Sequence, residues 1–451
     1  MKKRIVILGA GESGTGAALL AAKMGFEVFV SESGTIRDKY RDELETHLIP
    51  FEEGNHSEEL ILNADMIVKS PGIPEKVDLI KRIRTAGIET IDELEFAYRY
   101  LAGKIIAITG TNGKTTTTLL TYHLLKSAGF NVALAGNVGQ SLARQIIDKQ
   151  YDWYVIEVSS FQLDGWKSLS PEIGILLNIT PDHLDRYNYE MKNYIDSKFR
   201  LIQSMQKHQH FIYYADDAVI AREVRSRTII PHELRISLHP DADAPVKYDG
   251  SKMAFSLKDD FTIIQDETTL KGPHNLINTM AAVSAACLAG AELASIREAL
   301  KTFRNAPHRL ESVAVINGIE FVNDSKATNV DSVIYALGSF ESPLVWIAGG
   351  VDKGNDYSII MDAVKQKVKA LICLGKENDK LRKAFSGVVP TIDETQSVKE
   401  LVRMALKLAS PGDVVLLSPA CASFDLFKNY EDRGTQFRAA ALELKNEVEA
   451  A

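Results

Sequence analysis

The chain has 451 residues, which is enough for about three domains at the usual ~100–200 residues per domain. Hydrophobic residues make up 45% of the chain and charged residues 25%, so its composition is that of an ordinary globular protein and excludes general disorder. The net charge of −8 argues against nucleic acid as the main partner, because binding to a phosphate backbone requires a basic surface.

The cysteines and apolar runs exclude several other classes. Cys287, Cys373 and Cys421 lie far apart without a CxxC pair, so the sequence predicts neither a zinc site nor a disulfide framework. The apolar run that starts at Ile5 leads straight into Gly9 and is too short for a signal peptide. No apolar run approaches the ~18–20 residues that span a bilayer. We therefore expect a cytoplasmic protein without membrane insertion.

Short apolar runs alternate with helical patterns along the chain, which predicts βαβ units and parallel sheets. The fold class is therefore α/β, with three domains expected at residues 1–95, 96–305 and 306–451. The stretch from about 225 to 272 is richer in polar and β-type residues, for which we expect an antiparallel edge. The buried strands that we predict are Ile5–Leu8, Glu27–Val30, Met66–Val68, Lys104–Thr109, Trp153–Val158, Ile173–Leu177, Val345–Ala348, Ala370–Leu374 and Val414–Leu417.

The first motif is the GxGxxG sequence Gly9–Gly14, which lies between a predicted strand and a helix. Glu32 ends the next strand, near the spacing expected for a ribose contact. Taken alone, this pattern indicates NAD binding. The same geometry would hold the diphosphate of any nucleotide, and a purely structural tight turn is the third possibility.

The strongest motif is Thr109–Thr116, which follows a predicted strand and opens a helix that closes near Gly129. Backbone N–H groups at a helix N-terminus bind phosphate, and Lys114 is placed to reach the terminal phosphates. The Thr115 hydroxyl is placed to bind Mg²⁺. The usual GxxxxGK[ST] pattern has glycine where this chain has Ile108. The alternative is an ordinary glycine turn before a helix.

Polar residues after two further strands point to the same sheet edge. Glu157 ends one strand, where a carboxylate is well placed to bind Mg²⁺ directly or through water. His183 follows the next strand, beside Asp182. A lone histidine is more often structural, but its position after a strand favours a functional role.

The last domain has three polar or glycine-rich segments after strands: 323–329, which we expect to begin a helix, 349–354 and 418–425. Open α/β sheets bind ligands at the carboxyl ends of their strands. Two lysines and several hydroxyl groups there fit the capture of a small acidic molecule. Packing of the loops against one another is the alternative for each segment.

Together these motifs resemble the Mur ligase family over nearly the whole chain. The residues that carry the resemblance are Thr109–Thr116, Glu157, Asp182-His183, His274–Asn278, Pro307–Arg309 and Asn323–Asn329. Several of them are shared with folylpolyglutamate synthases, and the shorter glycine loop after Ile108 is that of the family. Residues 182–187 and 418–430 resemble the branch of the family that adds D-glutamate.

The resemblance implies an N-terminal Rossmann-like nucleotide-sugar domain, a central P-loop ATPase-like domain with a mostly parallel sheet, and a C-terminal Rossmann-like amino-acid domain. It implies an ATP-dependent ligase that joins D-glutamate to UDP-N-acetylmuramoyl-L-alanine through an acyl phosphate, releasing ADP and phosphate, in peptidoglycan precursor synthesis. ATP and two Mg²⁺ ions are the implied cofactors, the two substrates are the implied partners, and we expect a monomer.

The resemblance also implies the site residues. The implied catalytic residues are Lys114, Glu157, His183 and Lys198. ATP would contact Gly110, Thr111, Asn112, Gly113, Lys114, Thr115, Thr116, Asn275, Arg309 and Asp324. Thr115 and Glu157 would hold one metal ion, and His183 and Lys198 a second. The helical pattern alone predicts a solvated Lys198, whereas the family carries a carbamylated lysine there.

The remaining implied contacts are those of the two substrates. The nucleotide sugar would contact Ser13, Gly14, Thr15, Glu32, Arg37, Gly72 and Asn137. D-Glutamate would contact Lys326, Thr328, Lys353, Ser423 and Phe424. Among these, Lys353 and Ser423 are suited to its carboxylates.

Three other functions are weighed against this one. A ligase with another acceptor or amino acid, including the folate type, shares most motifs, although the folate enzymes generally lack the GxGxxG-bearing first domain. A NAD-dependent dehydrogenase is supported by Gly9–Gly14 but not by the loop at Lys114. A non-catalytic nucleotide switch receives little support from the amino-acid-like third domain.

Overall fold

The computed structural model describes residues 2–352 and 354–450, and the chain forms two compact units. One unit comprises Met1–Thr269 and Ile277–Phe303, and the other comprises Leu270–Leu276 and Arg304–Ala451. The first unit contains two sheets and the second contains one, which confirms the predicted α/β class with three mostly parallel sheets. The boundaries at 95/96 and 305/306 stay predictions. Within the described residues, no helix is long and apolar enough to cross a membrane.

The first sheet belongs to the N-terminal part of the first unit. Its strands are β1 (Arg4–Leu8), β2 (Glu27–Glu32), β3 (Phe51–Glu53), β4 (Met66–Lys69) and β5 (Glu89–Ile91). Its helices are α1 (Glu12–Lys23), α2 (Asp38–Thr46), α3 (Glu58–Leu62), α4 (Asp78–Thr85) and α5 (Glu93–Tyr98). All strand pairs are parallel in the order β3-β2-β1-β4-β5, so the strand order reverses at β1, directly before the Gly9 loop.

The second sheet has nine strands in the same unit. They are β6 (Lys104–Thr109), β7 (Val132–Gly136), β8 (Trp153–Glu157), β9 (Ile173–Leu176), β10 (His210–Tyr214), β11 (His232–Ser237), β12 (Val246–Tyr248), β13 (Lys252–Ser256) and β14 (Asp260–Ile264). The order is β14-β13-β12-β11-β10-β9-β6-β8-β7. The predicted antiparallel edge is confirmed for β12 to β14, whereas β11 in the same stretch pairs parallel with β10.

Helices and short 3₁₀ turns connect the strands of this second sheet or follow the last of them. The α-helices are α6 (Lys114–Ser127), α7 (Leu142–Gln145), α8 (Ser160–Leu163), α9 (Met191–Phe199), α10 (Ala218–Ser226), α11 (Pro273–Ala289) and α12 (Leu293–Thr302). The 3₁₀ turns are Leu184–Arg186, Arg200–Ile202 and Gln265–Glu267. Strands β6, β8 and β9 are buried almost throughout, as expected for strands covered on both faces.

The third sheet belongs to the second unit. Its strands are β15 (Glu311–Ile316), β16 (Ile319–Asn323), β17 (Leu344–Ala348), β18 (Val368–Leu374), β19 (Thr391–Thr395) and β20 (Val414–Leu417), in the order β15-β16-β20-β17-β18-β19. The β15–β16 pair is antiparallel, and the other pairs of these strands are parallel. Its helices are α13 (Val330–Gly338), α14 (Met361–Lys367), α15 (Asp379–Phe385), α16 (Val398–Leu408) and α17 (Tyr430–Glu449), with a 3₁₀ turn at Tyr357–Ile360.

One local prediction in this unit is wrong. We expected segment 323–329 to begin a helix, but α13 starts only at Val330. The reason is the helix cap. The backbone of Asn329 is extended, and its side-chain oxygen accepts a hydrogen bond from the Ser332 N–H, so the helix starts after the motif.

Close packing of glycines shapes the GxGxxG loop. A Cβ atom at Gly14 would overlap the carbonyl oxygen of Gly9, whereas a Cβ at Gly11 would meet no heavy atom within 4 Å. A Cβ at Gly16 would overlap the Ser141 hydroxyl, so α1 also packs closely against the start of α7. The glycines at 14 and 16 are therefore required by packing alone, whatever the loop binds.

We predict that Gly14→Ala destabilises the protein by about 1–3 kcal/mol, because overpacking of a tight site has that cost. Gly11→Ala should change the free energy of unfolding far less, since Gly11 has space for a methyl group and a φ of −81°. Urea unfolding of the two variants measures the difference. Equal losses would contradict the packing argument.

Buried acids of α5 join the first sheet to the second. The Glu95 carboxylate, 0% exposed, accepts hydrogen bonds from the backbone N–H groups of Lys167, Ser168 and Leu169 and from the Ser168 hydroxyl. The Glu93 carboxylate accepts from the Ala143 N–H at the start of α7. Carboxylates that receive backbone N–H groups hold two elements in a defined position.

Two buried acids, Asp92 and Glu93, make the contact between the first two sheets sensitive to pH. Burial raises the pKa of Glu93 to about 8 and the pKa of Asp92 to about 7. The folded protein therefore keeps protons that the unfolded chain releases above its ordinary carboxyl pKa of ~4. The contribution of these two acids to the free energy of unfolding consequently falls as pH rises from about 4 to about 8.

We predict that Glu93→Gln flattens this decline, because the amide carries no charge at any pH in the window. The variant should gain stability relative to the parent protein as pH rises from 5 to 8. Urea unfolding at several pH values measures the two slopes, with Glu59→Gln, an exposed glutamate of α3, as the control that follows the parent. Parallel curves for Glu93→Gln and the parent would contradict the prediction.

Candidate active site

A tight glycine turn joins β6 to α6. Gly110 and Gly113 have φ values of +154° and +84°, and Gly113 is the left-handed N-cap of α6. A Cβ at Gly113 would overlap the Asn278 side-chain oxygen. Glycine is therefore required at 113 by both conformation and space. The turn directs the N-terminus of a 14-residue helix at the loop, which is a favourable place for phosphate.

Asn178, two residues after the end of β9, holds this loop in shape. Its side-chain oxygen accepts from the Asn112 N–H at 2.8 Å, its amide nitrogen donates to the Asn112 carbonyl at 3.1 Å, and its own carbonyl accepts from the Thr111 N–H. The Thr111 hydroxyl lies 3.1 Å from the Tyr194 hydroxyl. Sequence reasoning missed Asn178 and Tyr194 as supports. The position of Asn178 at a strand end was the available signal.

Two lysines approach the same carbonyl group. The Lys114 ammonium donates to the Gly110 and Thr111 carbonyls at 2.8 and 2.7 Å. The Lys198 nitrogen donates to the Gly110 carbonyl, also at 2.8 Å. Thr115 and Thr116 are buried in the first turn of α6. The nitrogens of both lysines thus lie at the loop where a phosphate would bind.

Lys198 is buried, so the solvated position that its helical pattern predicted is wrong. It is 1% exposed, since α9 turns it inward toward β6, and its nitrogen lies 4.9 Å from the centre of the Tyr194 ring. Burial, reinforced by the charge of Lys114, holds the pKa of Lys198 well below its usual range. Such a lysine loses its proton more readily than an exposed one.

Glu157 ends β8 and His183 lies in the loop after β9, and these two strands flank β6 in the sheet. Glu157 is 1% exposed, sits between Ile108 and Gly136 in the sheet, and accepts from the Asn137 amide at 2.7 Å. His183 has a φ of +51° and a half-exposed ring, 5.1 Å from the ring of Phe161. The predicted Lys114, Glu157, His183 and Lys198 therefore all lie at the carboxyl edge of the second sheet.

The residues predicted for the nucleotide sugar border the first sheet. Ser13, Gly14 and Thr15 form the first turn of α1, and Thr15 is fully buried with its hydroxyl 3.4 Å from the Ala10 carbonyl. Glu32 accepts from the backbone N–H groups of Ala10 and Gly34, both at 2.9 Å. The Glu32 carboxylate therefore links the glycine loop after β1 to the residues that follow β2.

Three further predicted residues lie at the outer parts of this region. Arg37 is exposed and directly precedes α2, and Asn137 follows β7. Gly72 follows β4, and its carbonyl accepts from Arg186, which also donates to the Pro71 carbonyl and stacks 4.4 Å from the Phe161 ring. The loop at Gly72 is thereby tied to the turn that carries His183.

Asn275, Arg309 and Asp324, predicted for ATP, lie in the second unit. Asp324 is buried and accepts from the Ser418 hydroxyl at 3.0 Å and the Leu310 N–H at 3.3 Å. Burial raises the pKa of Asp324 to about 7, an effect that the charge of Arg309 opposes. The Asn275 amide donates to the Lys271 carbonyl at 2.7 Å.

The residues predicted for D-glutamate follow three strands of the third sheet. The Lys326 nitrogen lies 5.3 Å from the centre of the Tyr430 ring, and Thr328 is partly buried. Ser423 is buried, whereas Phe424 is 70% exposed. Lys353 lies outside the described residues. Each of these assignments stays a prediction.

Backbone hydrogen bonds connect the three loops that carry these residues. The Gly349 N–H donates to the Pro419 carbonyl at 2.9 Å, and the Val351 N–H donates to the Ala422 carbonyl at 2.8 Å. The Ala420 N–H donates to the Ala327 carbonyl at 3.0 Å. Sequence reasoning named these loops but not Arg433, whose guanidinium reaches all three.

Comparison with known sequences agrees with this arrangement. Residues 4–79 match the MurD N-terminal domain, residues 108–286 the Mur ligase middle domain, and residues 308–421 the Mur ligase, glutamate ligase domain. The UDP-N-acetylmuramoylalanine–D-glutamate ligase of Cytophaga hutchinsonii is 52% identical over 448 residues, covering 98% of this chain and 100% of the relative. The enzyme of the same name from Bacteroides thetaiotaomicron is 51% identical over 450 residues, with the same coverage.

Solved structures share the fold. The pseudomurein peptide ligase type C of Methanothermus fervidus has a TM-score of 0.63 at 19% identity, covering 98% of this chain and 100% of that one. UDP-N-acetylmuramate–alanine ligase MurC of Thermotoga maritima has a TM-score of 0.62 at 17% identity, covering 99% and 100%. Likeness at that identity shows the three-domain α/β fold, and the full-length relatives show the family. The chain therefore belongs to the Mur ligase family.

Proposed function

We propose that this chain joins D-glutamate to UDP-N-acetylmuramoyl-L-alanine at the expense of ATP, as the names of its full-length relatives suggest. The observation that carries the proposal is the meeting of Lys114 and Lys198 at the Gly110 carbonyl, each at 2.8 Å, in the turn before α6. Two cationic or amine groups at a phosphate-binding turn suit transfer of a phosphoryl group between two anions.

The proposed chemistry follows from the substrates. A carboxylate is a poor electrophile, so the terminal phosphoryl group of ATP is first transferred to the carboxylate of the UDP-sugar. The amine of D-glutamate then attacks the acyl phosphate, the amide forms, and phosphate leaves with ADP as the other product. In this scheme, Lys114 neutralises charge on the transferring group, while Gly110–Thr116 hold the phosphates through backbone N–H groups.

The residues at this edge fit Mg²⁺ in part. The Thr115 hydroxyl and the buried Glu157 carboxylate are hard oxygen donors of the kind that Mg²⁺ prefers. Among the described residues there is no group of three or more His, Cys, Asp or Glu side chains placed to hold a metal. We propose that phosphate oxygens complete one site, and that His183 and modified Lys198 serve a second ion. Mg²⁺ would neutralise charge on the phosphates.

We further propose that Lys198 is carbamylated. A neutral amine reacts with carbon dioxide and an ammonium does not, and burial beside Lys114 keeps the pKa of Lys198 low. The product is an anionic oxygen donor, which suits Mg²⁺ better than an ammonium. The negative charge of the carbamate would also pair with the Lys114 ammonium, whose positive charge lowers the pKa of the unmodified Lys198.

The specific substrates rest on the first and third sheets. We propose that Ser13, Gly14, Thr15, Glu32, Arg37, Gly72 and Asn137 bind the UDP-sugar, and that Lys326, Thr328, Lys353, Ser423 and Phe424 bind D-glutamate. Asn275, Arg309 and Asp324 are proposed for ATP. We also propose that the protein acts as a cytoplasmic monomer. A ligase for another amino acid remains the second candidate, since the phosphate loop is shared within the family.

We predict that phosphate release from ATP with Mg²⁺ requires both UDP-N-acetylmuramoyl-L-alanine and D-glutamate. L-Glutamate, L-alanine and lysine, tested singly, should give no release above background. Release with another amino acid would keep the ligase chemistry but reject the proposed third-domain specificity. No release with any amino acid would reject the proposed function. Thermal stabilisation by the UDP-sugar but not by NADH would separately exclude the dehydrogenase.

We predict that Lys198→Ala lowers kcat by at least about 10–100-fold, which is the usual cost of losing a group that only supports a metal ligand. Added acetate or propionate should restore part of the activity, because a small carboxylate can occupy the cavity and replace the carbamate oxygens. Lys192→Ala is the matched control, since Lys192 lies on α9 but is exposed and paired with Asp196. Loss of activity without rescue by either carboxylate would contradict the carbamate.

A further inference from the structure

Arg433 is a buried arginine in the first turn of α17, and it is 1% exposed. Its Nε donates to the Ser325 hydroxyl at 2.9 Å, and its Nη2 donates to the Ser325 carbonyl at 2.9 Å. Both Nη atoms donate to the Cys421 carbonyl at 3.2 Å, and Nη1 also donates to the Gly349 carbonyl at 3.3 Å. All three guanidinium nitrogens are thus directed at loop oxygens.

These acceptors follow three strands that are neighbours in the sheet. Ser325 follows β16, Cys421 follows β20, and Gly349 follows β17, in a sheet where β20 lies between β16 and β17. A single planar group therefore spans the carboxyl ends of three adjacent parallel strands. Open α/β sheets bind their ligands at this edge.

The start of α17 is held to the same loops by further contacts. The Ser325 hydroxyl donates to the Tyr430 carbonyl at 2.8 Å, and the Asn323 amide donates to the Gly434 carbonyl at 3.0 Å. A Cβ at Gly434 would overlap the His308 ring. The backbone on both sides of Arg433 therefore has little freedom, and the guanidinium is fixed in place.

Stability alone does not explain an arginine at this position. Burial lowers the pKa of Arg433 to about 10, so the side chain stays charged at neutral pH and its charge is removed from water at a cost. A cation in the first turn of a helix is also opposed by the helix dipole. Well-packed apolar residues often replace buried charged groups without loss of stability. The remaining advantage of arginine is its five donors in a rigid fork.

We propose that Arg433 is a positioning residue for the amino-acid substrate. It sets the relative positions of the three loops that carry the proposed D-glutamate residues, because its acceptors lie next to Lys326, two residues before Ser423, and at the start of segment 349–354. This inference rests on the proposed function, in which those loops bind D-glutamate.

The test is steady-state kinetics of Arg433→Met and Arg433→Lys with all three substrates. We expect the KM for D-glutamate to rise by about tenfold or more, since small displacements of positioning groups have large effects on binding and rate. The KM for the UDP-sugar should stay within about twofold, because its proposed residues lie in the first unit. Lysine keeps the charge but cannot span three loops, so Arg433→Lys should not restore the KM.

Two further variants keep the test decisive if the Met variant does not fold. Ser325→Ala removes one acceptor of Arg433 and should give a smaller rise in the same KM. Lys369→Met removes a half-buried lysine near the start of β18, at the end of the strands opposite the three loops. Lys369 pairs there with Asp413 at 2.7 Å, and its loss should leave every KM unchanged.

The outcomes separate the inference from the function on which it rests. If the parent protein shows no D-glutamate-dependent release, the proposed function fails. If the parent is active but the Arg433 and Ser325 variants change only thermal stability, or raise every KM equally, the positioning role is overturned. Full recovery in Arg433→Lys would also overturn it, since charge alone would then suffice.

Discussion

Lysine and arginine side chains that donate to backbone carbonyls hold the loops at two separate sheet edges of this protein. In the second sheet, Lys198 and Lys114 converge on the Gly110 carbonyl. In the third sheet, Arg433 reaches the carbonyls of Gly349 and Cys421. Loops at the ends of parallel strands expose carbonyl groups that the sheet no longer satisfies, and a donor from a following helix satisfies them. The cation therefore supports the loop and contributes positive charge near it.

This arrangement affects the two edges differently. At Gly110, burial, reinforced by the charge of Lys114, lowers the pKa of Lys198 and favours loss of its proton. At Gly349 the described hydrogen bonds of the Arg433 guanidinium go to uncharged oxygens, and its pKa of about 10 keeps it charged at neutral pH. An amine that can lose its proton suits chemistry, whereas a permanent cation with fixed geometry suits positioning. The difference between lysine and arginine at these edges is thus consistent with two different tasks.

The contacts between the first two sheets bear on how the proposed substrates are aligned. Glu95 binds three successive backbone N–H groups beyond α8, and Gly16 allows α1 to approach Ser141 without a gap. Arg186 adds a third contact by holding the carbonyls of Pro71 and Gly72. The loops proposed for the UDP-sugar and the phosphate loop therefore belong to one compact unit. Alignment of the sugar carboxylate with ATP phosphates can be built into that unit.

Local patterns predicted most of the strands and the loop at Thr109–Thr116, because glycine turns and apolar runs depend on residues close in sequence. They failed where the outcome depends on distant residues. The burial of Lys198 depends on how α9 packs against β6, and the hydrogen bonds of Arg433 depend on three loops up to 108 residues away. Neither is visible in a helical pattern that contains a charged residue. Gly9–Gly14 was ambiguous for another reason: its packing requirement at Gly14 is the same for any nucleotide.

The departure at Ile108 shows how the sheet determines the length of the phosphate loop. Ile108 is fully buried and pairs with Glu157 on one side and Ile175 on the other, so β6 is still a central strand at this position. Glycine there would remove a buried side chain and weaken the strand. The turn consequently begins only at Gly110, where φ becomes +154°. Continuing the strand to Thr109 also brings Glu157 level with the start of the loop, which places its carboxylate beside the phosphate-binding turn.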